Sequence, residues 1–210
     1  MALRDHSLDE KVINSAFREF LDKGYHNASL RKIAENAGVT VGAIQTRYPT
    51  KDQLFCSLLI PFTQEIEKVF QSLKTEYFAI DTQKDLVLSL KASMQEETDQ
   101  ILRLIFTHYE EARLLLCLSE GSSMEHYFDR LVSAKVEESV LFFQRQDDVK
   151  IDRNIMELLI ASQFECYRQI LRKGYDMETA KKCMEAAAVY SFGGWSLLLQ
   201  TMEKESGERQ

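Results

Sequence analysis

Residues 38–55 read GVTVGAIQTRYPTKDQLF, from Gly38 to Phe55. Gly38 suits the left-handed residue that ends a helix, and Thr40 carries a hydroxyl placed to cap the next one. Pro49 disfavours helical geometry at the residue before it, so the helix that starts after Thr40 must be short. Thr50-Lys51-Asp52-Gln53 then matches a capping box, and a new helix is expected there with Leu54, Phe55, Leu58 and Leu59 as its apolar stripe.

Upstream, the chain from Ser7 to Lys23 places Ile13, Ala16, Phe17, Phe20 and Leu21 at the spacing of an amphipathic helix, with Gly24 placed to end it. Ser29 is expected to cap a second helix whose Leu30, Ile33, Ala34 and Ala37 form one stripe, and Val39 to plug into the core from the turn. Helix, short glycine turn, helix is the layout of a helix-turn-helix, which inert helical hairpins share. The outward face of the third helix separates the two cases. With Ile44 as the core-facing centre, Val41 and Tyr48 fall beside it while Gly42 and Thr46 point away, flanked by Ala43 and Gln45. That face has no acidic residue and little bulk, which suits close approach to base edges and phosphates.

A chain of 210 residues with 45% apolar and 28% charged residues can bury a sizeable core, and two prolines and eight glycines favour helices. Neither a secretory leader nor a membrane-spanning run is read, so a cytoplasmic protein is expected. Cys56, Cys117, Cys166 and Cys183 are too scattered for zinc and are read as reduced thiols in helix cores. His6, His26, His108 and His126 are equally scattered; no metal, no cofactor and no nucleophile, Walker or dinucleotide signature is read, which argues against an enzyme. The net charge of −7 is uneven: residues 1–55 hold eight Lys/Arg against seven Asp/Glu, the rest 18 against 26.

Taken together, Ala16, Phe20, Gly24, Ile33-Ala34, Ala37-Gly38-Val39, Gly42, Lys51 and Leu54-Phe55 make the run from Ala16 to Phe55 resemble the amino-terminal domain of TetR-type transcriptional regulators. It departs from the family at Gln45, where a tyrosine is usual, and at Tyr48-Pro49-Thr50. Gln45 has the chemistry to bond a phosphate or to read adenine. The resemblance implies an all-α protein: an amino-terminal three-helix DNA-binding domain over residues 1–55, joined to a larger helical ligand-binding and dimerisation domain over residues 56–210. It also implies a homodimer on double-stranded DNA with a palindromic operator, a small-molecule effector and no membrane partner.

The expected DNA surface comprises Ser29, Thr40, Gly42, Gln45, Thr46, Arg47, Tyr48 and Lys51. Arg47 and Lys51 would mainly supply charge, Gln45 and Thr46 sequence reading, and Gly42 room for approach; the starts of the second and fourth helices would clamp phosphates. From residue 52 onward, helices are predicted over 52–77, 84–108, 110–118, 124–145, 153–173 and 178–204, with Pro61 expected to kink or interrupt the first. The stripe Met156, Ile160, Phe164, Tyr167 and Leu171, with Ala187, Ala188, Ser191, Gly194 and Trp195, is expected at a dimer interface, although an intramolecular core needs the same pattern. Phe106, Tyr109, Arg113, Cys117, Met124, Tyr127, Phe128 and Phe143 are the candidates to line a cavity for a moderately hydrophobic or anionic molecule.

The function expected from these readings is a ligand-responsive DNA-binding regulator, a repressor released from its operator by a small molecule. The alternatives are a helical interaction or ligand-binding protein that has lost specific DNA binding, and a regulator switched by its thiols.

Overall fold

The computed structural model describes residues 6–80, 86–144 and 152–207, and the statements below refer to them. They form helices throughout: α1 (His6–Asn27), α2 (Leu30–Ala37), α3 (Val41–Arg47), α4 (Lys51–Phe78), α5 (Leu86–Thr107), α6 (Tyr109–Cys117), α7 (Tyr127–Phe143), α8 (Arg153–Lys173) and α9 (Met177–Gly207). No strand occurs among the described residues, and the all-α expectation holds. The helix starting at residue 84 and the helix end at residue 145 lie outside the described residues.

The chain divides into two compact units, Met1–Gln64 with His108–Phe128, and Glu65–Thr107 with Asp129–Gln210. A boundary after Phe55 is therefore not where the contacts divide. The apolar stripe of α4 continues past Phe55 through Leu58, Leu59 and Phe62, all buried, and Ala112, Leu114, Leu115 and Leu116 of α6 are buried as well. Pro61 lies inside α4 without interrupting it; the one hydrogen bond that its missing N–H removes is outweighed by the packing of Leu58, Leu59 and Phe62 around it.

In the first unit, Gly24 breaks α1 with φ 71° and ψ 165°, so the last turn of that helix leaves at a new angle. The buried line on α1 is Val12, Ala16 and Phe20, with Ser15 beside it. Ile13, Phe17 and Leu21 are only half-buried, so the stripe is centred one residue earlier than its apolar spacing suggests. Ser15 occupies the core side because its hydroxyl donates to the Ile33 carbonyl at 2.9 Å, which satisfies a buried polar group and ties α1 to α2. Phe20 and Phe55 meet edge to face at 5.0 Å, and Tyr25 meets Phe55 at the same distance. Each fully buried ring contributes about 2–3 kcal/mol by burial.

The second unit holds the rest of α4, then α5, α7, α8 and α9. Its core includes Tyr77, Leu102, Ile105, Val136, Phe142, Met156, Ile160, Phe164, Tyr167 and Leu171. Asp152 caps α8 by accepting from the Asn154 and Ile155 N–H groups, and Gly174 ends it with φ 64°.

Candidate nucleic-acid interface and effector cavity

Gly38 adopts φ 69° and ψ 33°, its N–H donates to the Glu35 carbonyl at 3.2 Å, and the Val39 N–H donates to Ala34 at 3.0 Å. This paired closure satisfies the carbonyls at the end of α2 and turns the chain within two residues. Val39 is half-buried at the turn, and the Thr40 hydroxyl accepts from the Ala43 N–H at 3.1 Å, so α3 starts where its cap dictates. The Thr50 hydroxyl does the same for α4, accepting from the Gln53 N–H at 3.1 Å. Ser29 stands at the cap position of α2 but makes no side-chain cap bond; its own N–H donates to the Glu19 carboxylate at 3.2 Å. A charged acceptor from α1 thus fastens the start of α2.

Ile44 is 0% exposed and anchors α3, and the opposite face carries Gly42, Gln45 and Thr46, all exposed. The Thr46 hydroxyl donates to the Gly42 carbonyl at 2.8 Å, which leaves its oxygen able to accept from outside. A Cβ added at Gly42 would meet only the Thr40 hydroxyl, at 3.9 Å, so nothing inside the fold requires glycine there. Tyr48 is half-buried, and its N–H closes α3 on the Ile44 carbonyl at 2.8 Å.

The two cations in this stretch are engaged otherwise than the sequence suggests. The Arg47 guanidinium pairs through Nε with the Asp9 carboxylate, and its Nη1 donates to the Ala43 carbonyl at 3.3 Å. Both side chains of the pair are largely buried, at 21% and 17% exposure, so Arg47 joins α3 to α1 rather than offering its charge outward. The Lys51 ammonium donates to the carbonyls of Tyr25, His26 and Ala28 at 2.8, 3.2 and 3.2 Å and lies 4.4 Å from the centre of the Tyr25 ring. A cation on the closing turn of a helix is favourable with its dipole, and here all three donors are used. Sequence reasoning passed over Arg31, which is exposed on the first turn of α2; its position two residues after the Ser29 cap was the available signal.

Behind these helices, Asp52 on the first turn of α4 accepts from the Ser123 N–H and hydroxyl, both at 2.8 Å. Cys56 lies 3.2 Å from the same hydroxyl, and burial pushes its thiol pKa upward. The Tyr25 N–H donates to the Leu118 carbonyl at 2.8 Å, so the segment after α6 is bound to the kinked end of α1. Burial also raises the Tyr25 phenol.

The second unit contains a cavity in which the centres of water-sized molecules can occupy about 80 Å³. Tyr77, Met94, Glu97, Lys135, Ser139, Phe143, Gln163, Phe164, Phe192 and Trp195 are among the residues that line it. Of the eight residues expected there, Phe143 is on its wall. Tyr109, Arg113, Cys117, Met124, Tyr127 and Phe128 belong to the first unit, because α6 buries its apolar face there, and Phe106 is half-buried elsewhere in the second.

Most of the apolar residues expected at a dimer interface are buried within the unit. Ile160, Phe164, Tyr167 and Leu171 are buried within the unit at 6% exposure or less, and Trp195 faces the cavity. Ala188 and Ser191 are half-buried, and Gly194 is exposed. The exposed residues at helical spacing are Ile155, Leu158, Leu159 and Ser162 on α8, and Ala186, Val189, Tyr190 and Gly193 on α9, the large apolar ones being Ile155, Leu158, Leu159, Val189 and Tyr190. Both sets have the same helical spacing. Leu158 is 71% exposed and Tyr190 86%.

Cys56, Cys117 and Cys166 are half-buried and Cys183 is exposed, rather than all lying in cores. Among the described residues no group of three His, Cys, Asp or Glu side chains could hold a metal ion, and no helix is long and apolar enough to cross a membrane.

Residues 12–58 match the family described as bacterial regulatory proteins, tetR family. The HTH-type transcriptional regulator YdgC of Bacillus subtilis is 24% identical over 108 residues, which cover 50% of this chain and 55% of that protein; the match thus spans about half of the relative's length. A TetR-like transcriptional regulator from Rhodococcus sp. RHA1 superposes with a TM-score of 0.59 at 17% identity, over 92% of this chain and all of that one. NalD of Pseudomonas aeruginosa, the secondary repressor of the MexAB-OprM multidrug efflux pump, superposes with a TM-score of 0.57 at 18% identity, over 89% and 95% of the two chains. At these identities the structural likeness speaks for the fold, and the motif over residues 12–58 speaks for the family. Residues 12–58 thus carry the amino-terminal motif of the tetR family of bacterial regulatory proteins, and the chain as a whole shares the fold of its regulators.

Proposed function

We propose that this protein is a dimeric transcriptional repressor that reads DNA with α3 and releases it when a small molecule enters the cavity of the second unit. The observation that carries the DNA reading is the outward face of α3. Gly42, Gln45 and Thr46 are exposed, uncharged and small or flexible, on a helix held by one fully buried residue, Ile44. Gln45 can pair with the N6 and N7 edge of adenine, Thr46 can accept a hydrogen bond or touch a thymine methyl, and Gly42 lets the backbone approach. Thr40 and Ser29 stand at helix starts where backbone N–H groups can meet phosphates, and Arg31 supplies an exposed cation beside them. In this reading residues 1–55 carry the DNA-binding role and residues 56–210 the ligand and dimer roles, α4 belonging to both compact units.

The matched stripes on α8 and α9 supply the dimer face. A large apolar face of this kind is unusual on a monomer, and two helices from each of two copies would close it as a four-helix bundle. A symmetric dimer asks for a palindromic operator with half-sites about 34–36 Å apart, and an effector that alters the spacing of the two α3 helices ends simultaneous docking. The protein acts in the cytoplasm, where the DNA is, and performs no catalysis.

Selection of bound fragments from random duplex DNA by the full chain, followed by gel shift at increasing salt, tests the proposal. Enrichment of a palindrome whose affinity falls with salt is expected. Recovery of no sequence above background favours the second reading, an effector-binding helical protein without specific DNA binding. That reading draws on the engagement of Arg47 and Lys51 within the fold.

A further inference from the structure

From the charge layout of the cavity in the second unit, we infer that its ligand is a small uncharged ring compound carrying a carbonyl or hydroxyl group. This rests on reading that cavity as the effector site and adds the class of molecule it takes.

Two of the lining side chains are charged, Lys135 and Glu97, and they are spent on each other. Their atoms are 2.6 Å apart, with side chains 12% and 13% exposed. The Lys135 ammonium also sits 5.1 Å from the centre of the Tyr77 ring. Glu138, near enough to Lys135 to feel its charge, is itself paired with Lys74 at 3.6 Å. An anionic ligand would have to draw Lys135 from Glu97 and leave a buried carboxylate uncompensated; a cationic one would strand the ammonium. Lys91, whose ammonium lies 5.6 Å from the Phe192 ring, is exposed and does not line the cavity.

The rest of the wall selects for a flat apolar body with a neutral polar group. Phe143, Phe164, Phe192 and Trp195 offer ring faces and edges, and Met94 a polarizable thioether. Gln163 and the hydroxyls of Ser93, Ser139 and Ser196 are uncharged donors and acceptors. The available volume is several times the roughly 10–15 Å³ that one water needs by the same measure, which admits a small ring system.

The chain has one tryptophan, and it lines this cavity, so labelling with 5-fluorotryptophan places a single ¹⁹F resonance in the site. Titration of the full-length protein with 2-acetylnaphthalene, 2-naphthoate and 2-naphthylmethylammonium compares one ring body with neutral, anionic and cationic groups. The expected result is a shift of the Trp195 resonance at concentrations at least about tenfold lower for the neutral compound. In Glu97→Gln, where Lys135 loses its partner, the preference should turn to 2-naphthoate. Equal or tighter binding of either ion by the wild-type protein, or no shift with any of the three, overturns the inference. DNA selection by the same preparation is read independently, so a failed ligand class and a failed regulator reading give different results. The wild-type comparison stands even if Glu97→Gln does not fold.

Discussion

The Lys51 ammonium lies 2.8 Å from the Tyr25 carbonyl and reaches those of His26 and Ala28 as well, so a residue at the start of α4 closes the end of α1. Gly24 makes this possible: the break it puts into α1 turns those carbonyls toward α4. Lys51→Met should therefore lower unfolding stability by about 1–2 kcal/mol in denaturant titrations without DNA, the half-buried setting reducing the value of charged hydrogen bonds. A lysine serving DNA alone would leave the midpoint in place.

Arg47 and Asp9 form a second tie across the same unit. Removing one partner takes this ion pair from the other in a largely buried setting, so Asp9→Asn and Arg47→Met should each cost about 1–3 kcal/mol, and the double variant less than their sum. Asp9→Asn also frees the arginine, and its gel-shift affinity at low salt should rise relative to the stability lost. A double-mutant cycle with both readouts checks this.

Gly42 separates folding from recognition. With no atom nearer than 3.9 Å to a new Cβ, Gly42→Ala should keep or raise stability by up to about 1 kcal/mol through helix propensity. DNA affinity should fall about tenfold or more if the backbone there approaches the duplex. Thermal unfolding and gel shift on one preparation decide the point.

Leu158 and Tyr190 stand outward on equivalent stripes of α8 and α9. Leu158→Glu combined with Tyr190→Glu should convert a dimer into a folded monomer in sedimentation velocity, with helical circular dichroism retained. Ile160→Glu, by contrast, places a charge in the core of the unit and should unfold it.

Cys56 is half-buried, and burial raises its thiol pKa. A raised pKa means less thiolate at any given pH, so alkylation of Cys56 by iodoacetamide should follow a rate profile displaced to higher pH than that of the same residue in the denatured chain. A profile displaced to lower pH would instead support the thiol-switch alternative.

Much of the amino-terminal half was legible because its determinants are local. Gly24, Gly38, Thr40, Thr50 and Pro49 act through their own backbone or hydroxyl chemistry within three or four residues, and the structure uses all of them where their spacing suggests. Ile44 as the buried centre of α3, with Gly42 and Thr46 outward, follows from helical periodicity alone. Ser29 makes no side-chain cap bond, and the contact that fastens it, its N–H to Glu19 ten residues away, is one no local rule contains.

The amino-acid sequence by itself determined the helices, their caps and the helix-turn-helix order, since hydrogen bonds between near neighbours and a period of 3.6 residues are written along the chain. Tertiary structure decided which apolar stripe faces the core and which is left exposed. Ile160 and Leu158 are equally apolar two residues apart, and only the packing of α8 within its unit buries the first and leaves the second 71% exposed. It also decided that Arg47 and Lys51 bond within the fold, and that Lys135 meets Glu97 across 38 residues of chain. A charge carries no mark of its partner until the backbone brings the two within contact.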